Sequence, residues 1–392
     1  MVQRSEGSWS LWIELGSDAS GKRRQKTVTV RGTKRDAQRE LNRILHELDT
    51  GSFVDPAKMT VAQYLERWLA DYAKVNVSPK TYEGYEEFIR VHLVPAFGAH
   101  PLPKLTPLHI QNYYSRALQT GRRDGKGGLS ARTVLHHHRV LREALQLAVR
   151  WQLLVRNPAD AVEPPRPEKK EMQVLNADQI GHLLSVASRT RLYVPVLLAV
   201  ATGMRRGEVL GLRWQDVDLK NGMLSIRQSL QQTKEGTSFK QPKTQKSRRM
   251  VALPPSVVEE LRRHQAAQTD QRQLMEGGYQ NHDLVVAHPD GCPFSPGGLT
   301  HAFADLIAGT GLPRVRLHDL RHSHATHLFR EGVHPKIVSE RLGHATVGIT
   351  LDVYSHVLPG MQAEAALRID AALRRPPEVD GERLEVSPGV ID

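Results

Sequence analysis

The chain has 392 residues, 39% of them hydrophobic and 24% charged, a length that implies two or three domains with cores of their own. Lys and Arg number 54 against 42 Asp and Glu, and the net charge of +12 favours a polyanionic partner, nucleic acid first. The single cysteine, Cys292, excludes an intramolecular disulfide and a multi-cysteine metal site, and the longest apolar run, "LYVPVLLAVATGM" at 192–204, is too short to cross a bilayer.

The elements follow in chain order. Alternating β-formers in "SWSLWIEL" (8–15) and "KTVTVR" (26–31), separated by the polar "GSDASGKRRQ", predict a hairpin. A helix over 34–49 follows, with Ala37, Leu41, Ile44 and Leu45 on one face and Gly51 as its stop. This small ββα unit occupies residues 1–55, and eight basic against three acidic residues lie within 1–35. Residues 58–164 read as helical, with candidates at 60–75, 78–98, 106–121 and 130–153. Ser78 before Pro79 and Thr106 before Pro107 are N-cap pairs, and "GRRDGKGG" (121–128) is a basic loop. The proline-rich, charged stretch up to residue 174 predicts a linker, 165–174.

A third block, 175–360, mixes helix and strand. Asn176 with Gln179, and Ser256 with Glu259, have the spacing of capping boxes. Strands are expected at 222–229 and 248–254, and helices near 295–310, 318–331, 335–341 and 346–356. A last amphipathic helix lies in 361–375, before a polar, acidic tail at 376–392 expected to be disordered. The opening "MVQRSEGSWS" has no apolar leader, and with one cysteine a cytoplasmic location fits.

Four stretches of the third block carry side chains awkward for a purely structural role. In "ATGMRRGEVLGLRW", Arg205 interrupts an apolar helix, and Glu208 at i+3 could neutralise it as an internal ion pair. In "QPKTQKSRRMVALP", Lys243, Lys246, Arg248 and Arg249 sit on a hairpin tip, usually a solvated turn, from which a lysine could also reach a phosphate. In "RLHDLRHSHATHLF", His318 and Arg321 share a helix face. The spacing of His318, His322, His324 and His327 raises zinc, but there is no HExxH, and surface histidines are the better reading for the last three. The triplet His136, His137 and His138 fans around its helix and is read the same way. The last stretch, "LGHATVGITLDVYSHV", holds His344 and Tyr354. Two arginines, a lysine and two histidines around one phosphate would give a field in which a tyrosine hydroxyl, with its ordinary pKa near ~10, could attack a phosphodiester. No carboxylate cluster suited to two Mg²⁺ ions accompanies them, so the chemistry suggested is metal-free transesterification.

Arg205 in "TGMRRGE", Lys243 in "PKTQKSRR", His318 and Arg321 in "HDLRH", and His344 and Tyr354 in "LGHATVGITLDVYSHV" occur in this order and spacing. Together they resemble the signature of the tyrosine recombinases, the phage and mobile-element integrases. The resemblance implies a mainly α catalytic domain with a small antiparallel sheet, preceded by an all-α core-binding domain and a ββα arm-binding domain. That arm domain usually has three strands, and here the first is short or missing. It also implies roles. Tyr354 attacks the scissile phosphate to form a 3′-phosphotyrosine. Arg205 and Arg321 grip the non-bridging oxygens, and Lys243, with Lys246 as its competitor, protonates the leaving 5′-oxygen. His318 serves Tyr354 as base or hydrogen-bond partner, His344 donates to the phosphate, and Glu208 orients Arg205.

No cofactor is implied. The implied partners are double-stranded DNA at core and arm attachment sites, three further copies of the chain on a Holliday junction, a recombination directionality factor and a host DNA-bending protein. The C-terminal helix would dock on a neighbouring protomer. Candidate DNA contacts are Lys22, Arg23, Arg24, Lys26, Lys80, Arg122, Arg123, Arg132, Arg139, Lys246 and Arg248. A chromosome-dimer resolvase, a type IB topoisomerase or a non-enzymatic DNA-binding regulator are the competing readings.

Overall fold

The computed structural model describes residues 1–17, 23–49, 59–168, 172–241, 248–275, 277–354, 366–367, 369–371 and 373–374; the side chains of 15–17, 23, 24, 26, 43, 46–49, 353 and 354 are outside that description. The chain divides into two compact units, Met1–Lys169 and Lys170–Asp392.

The first unit contains two separate cores. An antiparallel sheet of β1 (Val2–Ser5), β2 (Ser8–Ser17) and β3 (Arg23–Arg31) has the order β1-β2-β3. The hairpin expected from the alternation is therefore joined by a short third strand, whose four residues are all exposed and so left no apolar pattern to read. Trp9, Leu11 and Ile13 alternate inward along β2 against α1 (Lys34–Asp49), while Trp12 faces out. Ala37 and Ile44 close this core as expected, whereas Leu45 is exposed; Gly51 lies outside the described residues.

The second core is helical. α2 (Val61–Trp68) continues through a widened turn, Leu69–Ala73, into α3 (Lys74–Asn76), and α4 (Pro79–Phe88) continues through Ile89–Leu93 into α5 (Val94–Phe97). Then come α6 (Pro107–Thr120) and α7 (Ala131–Arg150). Ser78 and Thr106 cap their helices by accepting from the amides of Thr81 and His109. Trp68, Tyr64, Leu93, Phe97, Ile110, Tyr114, Leu141 and Leu145 fill the interior. His137 and His138 correct the surface reading of the triplet. Both are buried, with Nδ1 atoms 2.7 Å from the hydroxyls of Tyr113 and Tyr114, and only His136 faces solvent. Two adjacent helical positions can both be buried here because α6 offers a phenol to each.

The second unit begins with α8 (Ala177–Ala187), opened by the Asn176–Gln179 capping box. α9 (Tyr193–Thr202) is apolar all round because it is packed on all sides. α10 (Arg206–Leu210) follows. A three-stranded sheet then has the order β4 (Val217–Asp218), β5 (Met223–Ile226), β8 (Arg249–Ala252). Between β5 and β8 lies a hairpin not read from the sequence, β6 (Ser229–Thr233) and β7 (Gly236–Lys240), whose mostly polar strands hid the alternation. α11 (Pro255–Leu274) starts on a proline, and the Ser256–Glu259 box does not form, since the helix has already begun at Pro255. α12 (Pro296–Ala308), α13 (Asp319–Arg330), α14 (Pro335–Leu342) and α15 (Val347–Tyr354) complete it, close to the expected bounds. The residues described in the C-terminal stretch include Leu367, Ile369 and Leu373, all exposed; the tail at 376–392 lies outside the description. Among the described residues no helix is long and apolar enough to cross a membrane.

A candidate active site at the end of α14

Arg205 does not interrupt a helix. α9 ends at Thr202, Gly203 takes the left-handed conformation (φ +66°), and Arg205 is the N-cap of α10. Its backbone amide donates to Glu208 Oε2 and its Nη1 to Glu208 Oε1, both at 2.9 Å, so the expected ion pair forms. The Arg205 side chain remains 41% exposed while Glu208 is 7% exposed, so the buried member of the pair is the acid.

The same carboxylate holds a second arginine. Arg249 donates from Nη2 to Glu208 Oε2 at 2.9 Å and from Nη1 to Oε1 at 3.3 Å, and its side chain is 6% exposed. Burial alone would raise the pKa of Glu208, but hydrogen bonds and charge from Arg249, reinforced by Arg205, hold it below the usual carboxylate range. Arg249 was thus misread as part of a solvated tip. The strand period gives the signal: Arg249 and Val251 point inward from β8, while Met250 points out.

The last carbonyls of α14 organise the cluster. Arg249 Nε donates to the carbonyl of Arg341 at 2.7 Å, Arg321 Nη2 to that of Leu342 at 2.7 Å, and Arg205 Nη2 to that of Gly343 at 3.4 Å. Three successive carbonyls at a helix C-terminus, its negative end, each receive a different guanidinium. Gly343 ends the helix with φ +68°. A side chain there would be strained and would meet Arg249 at 2.8 Å. Arg321 is 2% exposed and also donates from Nη1 to Gly203 at 2.6 Å, which ties the end of α9 to the end of α14.

Three histidines surround these arginines. His318 is the exposed N-cap of α13, and on either side of it in sequence Arg316 and Asp319 form a two-point ion pair at 2.8 and 3.0 Å. His344 follows Gly343 directly, with Nδ1 2.7 Å from Thr350 Oγ1. The His322 ring lies edge-on to His318, centroids 5.2 Å apart. Desolvation, then the positive charge of Arg321 and Arg205, lowers the pKa of His318 and brings that of His344 to about 4. Desolvation followed by repulsion from His318 brings His322 to about 4 as well. All three are neutral at physiological pH.

The surface reading of His322, His324 and His327 is also corrected. His324 is buried between the carbonyl of Val200, 2.8 Å from Nδ1, and Arg341, whose Nε donates to Nε2 at 3.1 Å. His322 is partly buried, and His327 lies 3.0 Å from the carbonyl of Leu175. A chain of small helices folded over α9 buries more faces of α13 than a lone amphipathic helix would. Among the described residues, no three His, Cys, Asp or Glu side chains are placed to share a metal ion.

The structure therefore brings together Arg205, Glu208, His318, Arg321 and His344. Tyr354 ends α15, its side chain outside the described residues, as are Lys243, Lys246 and Lys22 entirely. Arg23, Arg24 and Lys26 lie on β3 with side chains outside the description. Of the remaining candidate contacts, Arg123, Arg132 and Arg139 are exposed, while Lys80 pairs with Glu83 at 2.9 Å, Arg122 with Asp124 at 2.6 Å, and Arg248 with Gln241 at 2.6 Å.

Residues 173–360 match the model of the phage integrase family, and 60–118 match that of the phage integrase N-terminal SAM-like domain. The chain belongs to the phage integrase family of tyrosine recombinases. Among curated tyrosine recombinases it is 27% identical to a XerC-like protein of Caldanaerobacter subterraneus, over 93% of this chain and 96% of that one. It is 25% identical to the ICEBs1 integrase of Bacillus subtilis, over 94% and 98%. The fold is shared with the Tn1549 transposon integrase solved in complex with transposon right end DNA (TM-score 0.67, 22% identity, 80% of this chain and all of that one). It is also shared with a lambda integrase dimer bound to a core site (TM-score 0.55, 20% identity, 75% and 95%).

Proposed function

We propose that this tyrosine recombinase cleaves and rejoins DNA at specific sites to integrate or excise a phage or mobile element, with Tyr354 as nucleophile. One observation carries the assignment of residues: Arg205 and Arg321, from distant parts of the chain, meet on adjacent carbonyls of α14, next to His344 and one short helix away from Tyr354. A scissile phosphate set against them would receive two guanidinium groups, whose forked donors stabilise the charge that builds on the non-bridging oxygens. His344, neutral, would donate to the phosphate, and His318, neutral at the rim, would accept the tyrosine proton. Lys243 would protonate the leaving 5′-oxygen, with Lys246 as the alternative. The 3′-phosphotyrosine keeps the energy of the broken phosphodiester, so a second strand's 5′-hydroxyl can reverse the step in a new pairing.

In this reading residues 1–55 bind arm sites, 58–164 bind the core site, 165–174 link them to the catalytic domain at 175–360, and 361–375 dock on a neighbouring protomer ahead of the tail at 376–392. The exposed Leu367, Ile369 and Leu373 suit such docking. The lambda integrase tetramer solved on a Holliday junction supports four copies exchanging strands in pairs here too. A directionality factor and a DNA-bending host protein would assist, and the setting is the bacterial cytoplasm, on the nucleoid.

The test uses oligonucleotides from the junctions of the element that carries the gene. A nicked half-site whose cleaved fragment diffuses away traps a covalent protein–DNA complex, visible as a shifted band under denaturing conditions. The wild-type chain is expected to form it at one junction sequence and not at scrambled DNA. Relaxation of supercoils with no site preference would instead favour a type IB topoisomerase.

A further inference from the structure

Within the recombinase reading, we infer that Arg249 is a positioning residue of the cleavage site: it fixes Glu208, and through Glu208 the guanidinium of Arg205, against the C-terminal turn of α14.

Three features of the geometry carry this. First, Glu208 is shared. Each of its oxygens accepts from both sides, Oε1 from Arg205 and Arg249 side chains, Oε2 from the Arg205 amide and Arg249 Nη2. Of the two arginines on Glu208, Arg205 has a side chain 41% exposed, whereas Arg249 is 6% exposed and has Nε on the Arg341 carbonyl and both Nη atoms on Glu208. Second, Arg249 reaches past Glu208 to the carbonyl of Arg341 at 2.7 Å, one residue before the carbonyl that Arg321 takes and two before the one that Arg205 takes. A single side chain from β8 thus sets the spacing between α10 and the α14 terminus, where the two arginines meet. Third, room has been left for it: at Gly343 a Cβ would lie 2.8 Å from Arg249 Nη1 and 3.0 Å from its Cδ.

Without Arg249, a buried carboxylate would keep only the half-exposed Arg205 as a charged partner. Glu208 would then bind its proton more readily and release Arg205, whose guanidinium would no longer be held at the angle a phosphate requires. A neutral, planar Gln cannot bridge Glu208 and the Arg341 carbonyl as a guanidinium does. A Lys restores the charge from one nitrogen and so part of the function.

The experiment is single-turnover cleavage by the full chain on the nicked half-site from the element junction, with DNA affinity measured in parallel. Arg249→Gln is expected to cleave about 100-fold more slowly, with Kd within about twofold of wild type, the size expected for a misplaced reacting group. Its rate should also show an acid limb beyond the one that protonation of His318 gives the wild type, because Glu208 now binds its proton more readily. That added limb should vanish in the Glu208→Gln/Arg249→Gln double variant, which should be no slower than Glu208→Gln alone. Arg249→Lys should recover part of the rate without the added limb; it also serves if the Gln variant does not fold, when a cleavage rate about 10-fold below wild type is expected of it. Wild-type cleavage by either variant, or a loss that follows DNA affinity and melting temperature with no new acid limb, overturns the assignment. A wild-type chain that forms no adduct contradicts the recombinase reading itself, whereas a wild-type adduct with an indifferent Arg249 variant contradicts this assignment alone.

Discussion

His344 Nδ1 and Thr350 Oγ1 lie 2.7 Å apart, which ties the histidine beside the arginine cluster to the helix that ends at Tyr354. Thr350 is buried and stands one turn before Tyr354, so the bond spans the short loop between α14 and α15. Either group can donate in this bond; the tautomer that leaves Nε2–H free to donate to a phosphate oxygen is the one in which the threonine hydroxyl donates to Nδ1. Thr350→Val keeps the shape and removes the bond. It should slow cleavage about 10-fold while leaving DNA affinity unchanged. Single-turnover rates check this, and an unaltered rate would mean that His344 needs no anchor on α15.

Arg205 and Arg321 should respond differently to removal. Both are expected to lose about 1000-fold or more in cleavage rate when changed to Ala, since each donates to the charge of the transition state. Arg205→Ala leaves Glu208 still held by Arg249, so its melting temperature should stay close to wild type. Arg321→Ala strands the buried carbonyls of Gly203 and Leu342, at a cost of roughly 2–4 kcal/mol of stability. Thermal melts of the two variants side by side separate these outcomes, and equal melting temperatures would mean that the Arg321 contacts are not structural.

Acid should destabilise the second unit ahead of ordinary carboxylate titration. Burial first, then neighbouring cations, brings His322 and His344 to about 4 and His324 to about 3, all below the ordinary 6.5. The unfolded chain therefore binds more protons as pH falls below 6.5, so the stability these groups contribute is full above that pH and is lost on the way down to about 4 for His322 and His344 and about 3 for His324. Melting temperature should drop between pH 6.5 and 4.5, and less steeply in His324→Gln. A flat profile over that window would show that these imidazoles titrate normally.

Removing residues 1–55 tests the domain reading. The β1–β3 sheet and α1 form a core of Leu11, Ile13, Ala37 and Ile44, separate from the helical core that follows, so the rest of the chain should fold without it. The truncated protein is expected to keep cleavage of core-site DNA at near wild-type rate and to lose integration that depends on arm sites. Full integration by the truncated chain would remove the arm-binding role.

Much of the site was legible because its chemistry is local in sequence. His318 and Arg321 fall three apart on one helix, and Glu208 three after Arg205, spacings that contacts within one turn preserve. What escaped was what tertiary packing decides. Arg249 belongs to a lysine- and arginine-rich run that looks solvated, and only a carboxylate 41 residues earlier makes it a buried partner. His137 and His138 looked like surface residues until α6 supplied a tyrosine for each. Strand β1 has no buried position, and β6 and β7 only a weak apolar period, so neither was visible to an argument from alternation.

The identity of the nucleophile is the claim on which the rest depends. Trapped on the nicked half-site, digested and sequenced by mass spectrometry, the protein should yield one peptide carrying a nucleotide 3′-phosphate on Tyr354, and the Tyr354→Phe chain should bind the same DNA with equal affinity and give none. An adduct on another residue, or one that persists in the Phe variant, would contradict the account.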